Sequence, residues 1–248
     1  MSKLIYIYGF HSIESLLETN PESILKVMIQ TNRNDKRAND IVNALKSEKI
    51  AFSNTDKNDL DRIAKGENHQ GVISEVILPP LLNEELLYKS ISSNNSKPLI
   101  LILDSIQDPR NLGACLRSAN AAGVDYVIIN KDGSAPINAL VHKTSAGAIN
   151  SLKIFHVTNL SRTIKGIQKR GIWVVGLDGN SESTIYNVNL TGATAIVMGS
   201  EGKGIRRLIK ENCDQIVTIP MSGNIESLNV SVATGIALFE SKRQREST

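Results

Sequence analysis

Ala195-Ile196-Val197-Met198-Gly199-Ser200-Glu201-Gly202-Lys203-Gly204 reads as an apolar strand running into a glycine-rich loop, with a helix over Ile205 to Glu211. Four consecutive apolar residues suit a strand covered on both faces, as in a parallel sheet. The same unit recurs outward along the chain. Leu99 to Asp104, Val124 to Asn130, Ile172 to Leu177 and Gln215 to Ile219 are further short β-rich runs, alternating with helical stretches. The pattern predicts an α/β domain over residues 99–248, and because threading is rare it predicts an open Rossmann-like sheet. The loop itself carries neither Gly-Lys-Ser/Thr nor G-x-G-x-x-G, so it is not a nucleotide phosphate loop of either kind. Taken alone it reads equally as a tight turn. Glu201 is more informative, because a carboxylate among glycines at a strand's C-terminal end sits where open α/β sheets bind ligands.

Upstream of Leu99 the chain changes character. Ser92-Ser93-Asn94-Asn95-Ser96-Lys97-Pro98 is polar and closed by proline, and Pro79-Pro80 precedes a short helix over Asn83 to Ile91. We read 79–98 as a linker. Before it, apolar periodicity predicts a helix near His11 to Glu18, a strand at Ile24 to Ile29, helices at Ala38 to Ser47 and near Lys57 to Ala64, and a strand at Gly71 to Ile77. Residues 1–78 are thus expected to form a separate small α/β domain.

Of the 248 residues 41% are hydrophobic and 21% charged, which provides a core and excludes a disordered chain. The longest apolar runs fall far short of the roughly 20 residues needed to cross a bilayer, and Met1-Ser2-Lys3-Leu4 opens no signal-peptide core. A cytoplasmic protein is expected. Two cysteines, Cys115 and Cys213, exclude a disulfide framework and a four-thiolate zinc site. The net charge of +3 is unevenly spread: residues 1–78 hold 10 Lys/Arg against 11 Asp/Glu, and residues 79–248 hold 18 against 14. A polyanion is expected to meet the later part, with Arg33, Lys36 and Arg37 as the N-terminal exception.

Two further segments carry chemistry. In Asp108-Pro109-Arg110-Asn111-Leu112-Gly113-Ala114-Cys115-Leu116-Arg117, Asp108 suits an N-cap, Pro109 the first helical position and Gly123 the helix stop. Leu112, Cys115, Leu116 and Ala119 then share a buried face. Arg110 and Arg117, seven apart, share the opposite one about 10 Å apart, either as solvated charges or as a grip on a phosphate backbone. In Ile219-Pro220-Met221 and Ser227-Leu228-Asn229-Val230-Ser231-Val232-Ala233, Ser227 suits the N-cap of a final helix whose Leu228, Val232, Ile236 and Phe239 make an apolar stripe. His11, His69, His142 and His156 lack metal-ligand spacing, and Trp173 lies in an apolar strand and reads as core.

In this order, Asn111-x-Gly113-x-x-x-Arg117, Gly199-Ser200-Glu201-Gly202-x-Gly204 and Ile219-Pro220-Met221 with Ser227 to Ala233 resemble the three motifs of the SpoU/TrmH group of SPOUT RNA ribose 2′-O-methyltransferases. The resemblance spans residues 99–243, including Lys143 to Gly147 and Val157 to Leu160. Tyr8-Gly9-Phe10-His11-Ser12 and His69-Gln70-Gly71-Val72 extend it to the small ribosomal-protein-like substrate-binding domain such enzymes carry. Within the group the chain is most similar to bacterial enzymes that methylate a guanosine of 23S rRNA.

The resemblance implies a C-terminal parallel-sheet domain threaded into a trefoil knot, in place of the open sheet. It implies S-adenosylmethionine as cofactor, held by Gly199, Ile219, Leu228, Met221 and Leu177. It implies Arg117 as the catalytic arginine, with Asn111, Glu201, Ser227 and Asn229 orienting the reactants, and a homodimer without a metal. The RNA contacts expected are Arg110, Arg117, Arg33, Lys36 and Arg37. Two rival readings differ in substrate or class: a tRNA ribose methyltransferase of the same group, and a non-catalytic RNA-binding ribosome-assembly factor. Intact Asn111, Arg117 and Glu201 argue against the second.

Overall fold

The computed structural model describes residues 3–33, 35–78, 82–93, 96–179, 181–223 and 227–247. Pro79-Pro80 and Asn94-Asn95 of the stretch read as a linker, and Asn224 to Glu226 of the third segment, lie outside the described residues. The chain divides into two compact units, Met1–Pro80 with Ile137–Ser151, and Leu81–Pro136 with Leu152–Thr248.

The first unit is built from β1 (Lys3–Tyr8), α1 (Phe10–Thr19), β2 (Ile24–Gln30), α2 (Lys36–Ser47), β3 (Ala51–Thr55), α3 (Lys57–Ala64) and β4 (Val72–Leu78). The sheet order is β1-β4-β2-β3, with only the β2–β3 pair parallel. Alternation along β2 sets its two faces. Val27 and Ile29 join Ile7, Phe10, Ile13, Leu16, Ile41 and Leu45, whereas Met28 joins Leu60, Ala64 and Ile73. β1 and β3 were not foreseen from the sequence. β3 has no buried residue and sits at the sheet's edge, which removes the apolar signal.

The second unit holds α4 (Glu84–Ser93), β5 (Leu99–Asp104), α5 (Pro109–Ala122) and β6 (Tyr126–Asn130); α6 (Ala139–Thr144) belongs to the first unit. It continues with β7 (Lys153–Val157), α7 (Leu160–Gln168), β8 (Trp173–Leu177), β9 (Thr194–Gly199), α8 (Arg207–Lys210), β10 (Gln215–Val217) and α9 (Val230–Glu246). The six strands are all parallel in the order β10-β8-β9-β5-β6-β7. Both faces are covered, as their apolar runs require. Ile100 and Ile102 pack with Leu87, Ile91, Ile164, Ile167 and Ile209, while the opposite face lies under α5 and α9. Of the stretch read as a linker, Glu84–Ser93 is α4, and its Leu87 and Ile91 are core.

Local chemistry fixes the ends of α5 as its sequence requires. Asp108 accepts the Arg110 N–H, Pro109 opens the helix, and Gly123 closes it at φ 80°. Three expectations need correction. The N-cap of α9 is Asn229, which accepts the Ser231 N–H, so Leu228 precedes the helix and Ser227 is not its cap. The buried side of α9 is Val230, Ala233, Thr234, Ala237 and Leu238, whereas Val232 and Phe239 of the expected stripe are exposed. Trp173, read as core, is 47% exposed at the start of β8. No helix among the described residues is long and apolar enough to cross a membrane.

Candidate active site

Strand β9 ends at Gly199, and the chain closes on itself at once: the Ser200 N–H donates to the Gly204 carbonyl at 3.1 Å and the Gly204 N–H donates back at 2.9 Å. Gly202 and Gly204 hold the intervening loop at φ 77° and 64°, the left-handed region that side chains resist. This bridge presents Glu201 to solvent at the C-terminal edge of the sheet. The far side of the loop is pinned by Asp104, fully buried at the end of β5. Its carboxylate accepts the Arg206 N–H at 3.0 Å and the guanidinium at 2.7 Å (Nε) and 2.6 Å (Nη2).

Beside the loop lies a cavity of about 820 Å³, lined by the ends of β8, β9 and β10 and the start of α9. All five expected cofactor residues line it: Leu177, Gly199, Ile219, Met221 and Leu228. Glu201, Ser227 and Asn229 line it as well.

Three side chains from distant segments meet at its rim, where Asn111, itself outside the lining, joins Glu201 and Asn229. Asn111 donates its amide to Glu201 Oε1, and Asn229 Nδ2 donates to Asn111 Oδ1 at 3.1 Å. Asn229 Oδ1 in turn accepts from the Ser231 N–H at 2.9 Å and the Ser231 hydroxyl at 2.6 Å. The direction of this chain is set at its Ser231 end. A backbone N–H can only donate, so Asn229 turns Oδ1 toward it and Nδ2 toward Asn111 Oδ1, which leaves the Asn111 amide to donate to Glu201. Ser231 and Asp104 are the residues sequence reasoning missed. Asp104 left a signal, a carboxylate closing the otherwise apolar run Leu99 to Leu103.

The remaining expected residues fall elsewhere. Arg117 is exposed on α5, does not line the cavity, and has no hydrogen-bond or ion-pair partner among the described residues; the exposed Arg110 side chain likewise has none. Arg33 and Arg37 are already engaged. Arg33 binds the Gln70 carbonyl and lies 4.5 Å over the Phe10 ring, and Arg37 donates twice to Glu14 at 2.6 Å. Lys36 is exposed.

Other reactive groups are muted by their surroundings. Burial pushes the Cys115 thiol up to about 11 and the Cys213 thiol to about 12, which keeps both protonated. His69 accepts the Gly71 N–H at Nδ1, so its Nε2–H donates to Asp61 at 2.8 Å, a structural role. Among the described residues no three His, Cys, Asp or Glu side chains are grouped to hold a metal ion.

The chain matches the SpoU rRNA Methylase family over residues 98–239, and a second family, RNA 2′-O ribose methyltransferase substrate binding, over residues 6–80. It is 48% identical over 240 residues to the 23S rRNA (guanosine-2′-O-)-methyltransferase RlmB of Haemophilus influenzae, covering 96% of this chain and 97% of that protein. RlmB of Escherichia coli (strain K12) is 46% identical over 239 residues, covering 96% and 98%. The solved SpoU methyltransferase AviRb from Streptomyces viridochromogenes, in complex with AdoMet, shares the fold with a TM-score of 0.81 at 21% identity, covering 99% of this chain and 92% of that one. A solved RNA 2′-O ribose methyltransferase gives 0.81 at 26% identity, covering 98% and 89%.

Proposed function

Because the chain belongs to the SpoU rRNA methylase family, we propose that it transfers a methyl group from S-adenosylmethionine to the ribose 2′-hydroxyl of one guanosine in 23S rRNA. The observation that carries this reading is the meeting of Asn111, Glu201 and Asn229 at one cavity, in a chain that resembles RlmB over nearly its whole length. Likeness across the first unit favours rRNA over tRNA, since that unit is where substrate choice resides in this reading. The second unit is then the threaded, trefoil-knotted domain of the family, working in the cytoplasm.

The cavity fits such a cofactor. About 820 Å³ suits a nucleoside with a short tail, and Leu177, Met198, Ile219, Met221 and Leu228 give it apolar walls. When bound there, S-adenosylmethionine supplies an electrophilic methyl on a sulfonium sulfur. The protein's own residues do the rest. The ends of β8, β9 and β10, with Leu228, would hold the cofactor, and the Ser231–Asn229–Asn111 chain keeps the Glu201 carboxylate fixed at the rim. Transfer to the ribose 2′-hydroxyl would exchange the carbon–sulfur bond for an oxygen–carbon bond and release the hydroxyl proton. A guanidinium does not accept it, so Arg117 acts by gripping the target phosphate, which can carry the proton to water.

Arg117 does not line this chain's own cavity, which fits a homodimer in which the arginine of one subunit serves the cofactor site of the other. The dimer surface we assign is the exposed apolar side of α9, with Val232 and Phe239 51% and 47% exposed, rather than Val230, Ala233 and Ala237, which are buried within the chain. Incubation of the protein with labelled S-adenosylmethionine and either protein-free 23S rRNA or total tRNA tests the substrate class. Label in rRNA alone is expected, and label in tRNA alone would replace this reading with the tRNA one.

A further inference from the structure

A second charged feature lies between α4 and α7. A groove of about 550 Å³ there shares no lining residue with the cavity around Glu201, and it carries Arg162, Lys165, Lys169 and Arg170 against a single carboxylate, Glu84. Glu84 is committed. It binds Arg162 at 2.5 Å and also accepts from the Tyr88 hydroxyl at 2.7 Å and the Thr163 hydroxyl at 2.9 Å. These bonds hold its carboxyl below the usual range against the opposing effect of burial.

The floor is built by a residue that a helix interior disfavours. Gly166 lies inside α7, where glycine costs stability relative to alanine. A Cβ at that position would stand 2.2 Å from the Tyr88 hydroxyl, so the glycine is what lets Tyr88 lie across the helix. Arg170 then rests 4.2 Å over the Tyr88 ring. Its Nη1 donates to the Gly166 carbonyl at 2.8 Å, and a guanidinium stacked on a ring face keeps its remaining edge donors available. Lys165 and Lys169 are exposed and have no partner among the described residues. Lys165 lies in the last turn of α7 and Lys169 is its C-cap, so they are offset by about 6 Å along the axis, close to two steps of a nucleic-acid strand at about 3.4 Å each.

We propose that this groove binds the phosphate backbone of the RNA substrate, away from the nucleotide that is methylated. The inference rests on the reading of the chain as an rRNA methyltransferase. The occupant is set by charge: three cations not spent on Glu84 face solvent around a groove whose one carboxylate is already neutralised. Contacts of this kind hold and orient a polyanion without reading its sequence.

The test uses the full-length protein carrying Lys165→Gln and Lys169→Gln, two exposed substitutions that break no contact in the fold. Affinity for protein-free 23S rRNA transcribed in vitro is measured across a series of salt concentrations, alongside S-adenosylmethionine affinity and kcat at saturating RNA. Losing two phosphate contacts lowers the slope of log K against log salt by about 1.4 to 1.8, equivalent to about 25- to 60-fold weaker binding at about 0.1 M salt if the curves meet at about 1 M. Cofactor affinity and kcat stay at the wild-type values. A variant that keeps the wild-type slope overturns the inference while wild-type methylation of rRNA leaves the underlying reading intact. A wild-type protein that does not methylate rRNA overturns both.

Discussion

Gly199→Ala isolates what the glycine at the end of β9 is for. If Gly199 were small to leave room for cofactor, the substitution would be silent in the cofactor-free protein, and a larger residue such as valine would be needed to block binding. The structure gives a different reason. A Cβ on Gly199 would stand 2.0 Å from the Gly204 carbonyl carbon and 2.2 Å from the Ile205 nitrogen. Both are backbone atoms, so neither can swing aside. The loop must open, which breaks the two Ser200–Gly204 hydrogen bonds. Those two bonds contribute about 1 kcal/mol each, and forcing extra volume into a packed site costs about 1 to 3 kcal/mol more. The sum, roughly 3 to 5 kcal/mol, lowers the melting temperature of the cofactor-free protein by roughly 6 to 20 °C at about 2 to 4 °C per kcal/mol. Gly202→Ala is the control. Nothing lies within 4 Å of its Cβ, and only its φ of 77° is strained, so it loses about 1 to 2 kcal/mol. Calorimetric melts of both variants without ligand decide the matter. A Gly199→Ala protein that melts with the wild type would refute the loop-closure argument.

Arg117→Ala should lower kcat about 100- to 1000-fold while S-adenosylmethionine affinity, read by titration calorimetry, stays unchanged, because Arg117 lies outside the cavity lining. Ser231→Ala removes the hydroxyl bond to Asn229 but keeps the backbone one, so kcat should fall by roughly 5- to 10-fold, about one hydrogen bond, with the melting temperature nearly unchanged. An Asn229→Ala background should make Ser231→Ala silent in kcat. Burial holds His142 at about 4 and both of its ring nitrogens lack partners, so the unfolded chain takes up a proton there before the folded one does. Its contribution is complete above about pH 6.5 and is lost as pH falls toward 4, by roughly 3 kcal/mol. His142→Leu should flatten the denaturation midpoint between pH 6.5 and 4 by that amount; an unchanged slope would contradict the burial argument.

The parallel strands were legible because both of their faces are buried, so each reads as an uninterrupted apolar run. The edge strands β3 and β7 were not, although β10, at the opposite edge from β7, was read from Gln215 to Ile219. β7 lies at the sheet's edge with Lys153 exposed, and β3 is the polar run Ala51–Thr55. The face of α9 was misread for a different reason. Its buried side meets α5 through small residues, with Thr234 Oγ1 3.4 Å from Cys115 Sγ, and close helix packing of this kind leaves little hydropathy to detect. Large apolar residues such as Val232 and Phe239 drew the stripe to the exposed side. The caps of α5 were legible because Asp-Pro and a terminal glycine are local signals. The hydrogen-bonded chain from Ser231 to Glu201 joins residues 90 and 118 positions apart, which no spacing rule reaches. Asn111 and Asn229 could be named beforehand only through motif resemblance, and Ser231 was not named at all. The N-terminal arginines show the converse, since charge pattern alone does not reveal that Arg33 and Arg37 are engaged with Gln70 and Glu14.

The cavity beside Glu201 is proposed as the site of methyl transfer to ribose. Full-length protein incubated with protein-free 23S rRNA and S-adenosylmethionine carrying a trideuterated methyl, followed by nucleoside digestion and mass spectrometry, tests it most directly. One trideuterated 2′-O-methylguanosine per rRNA molecule is expected, and none when Asn111 is replaced by alanine. Label on a base, or undiminished ribose label in the Asn111→Ala protein, would contradict it.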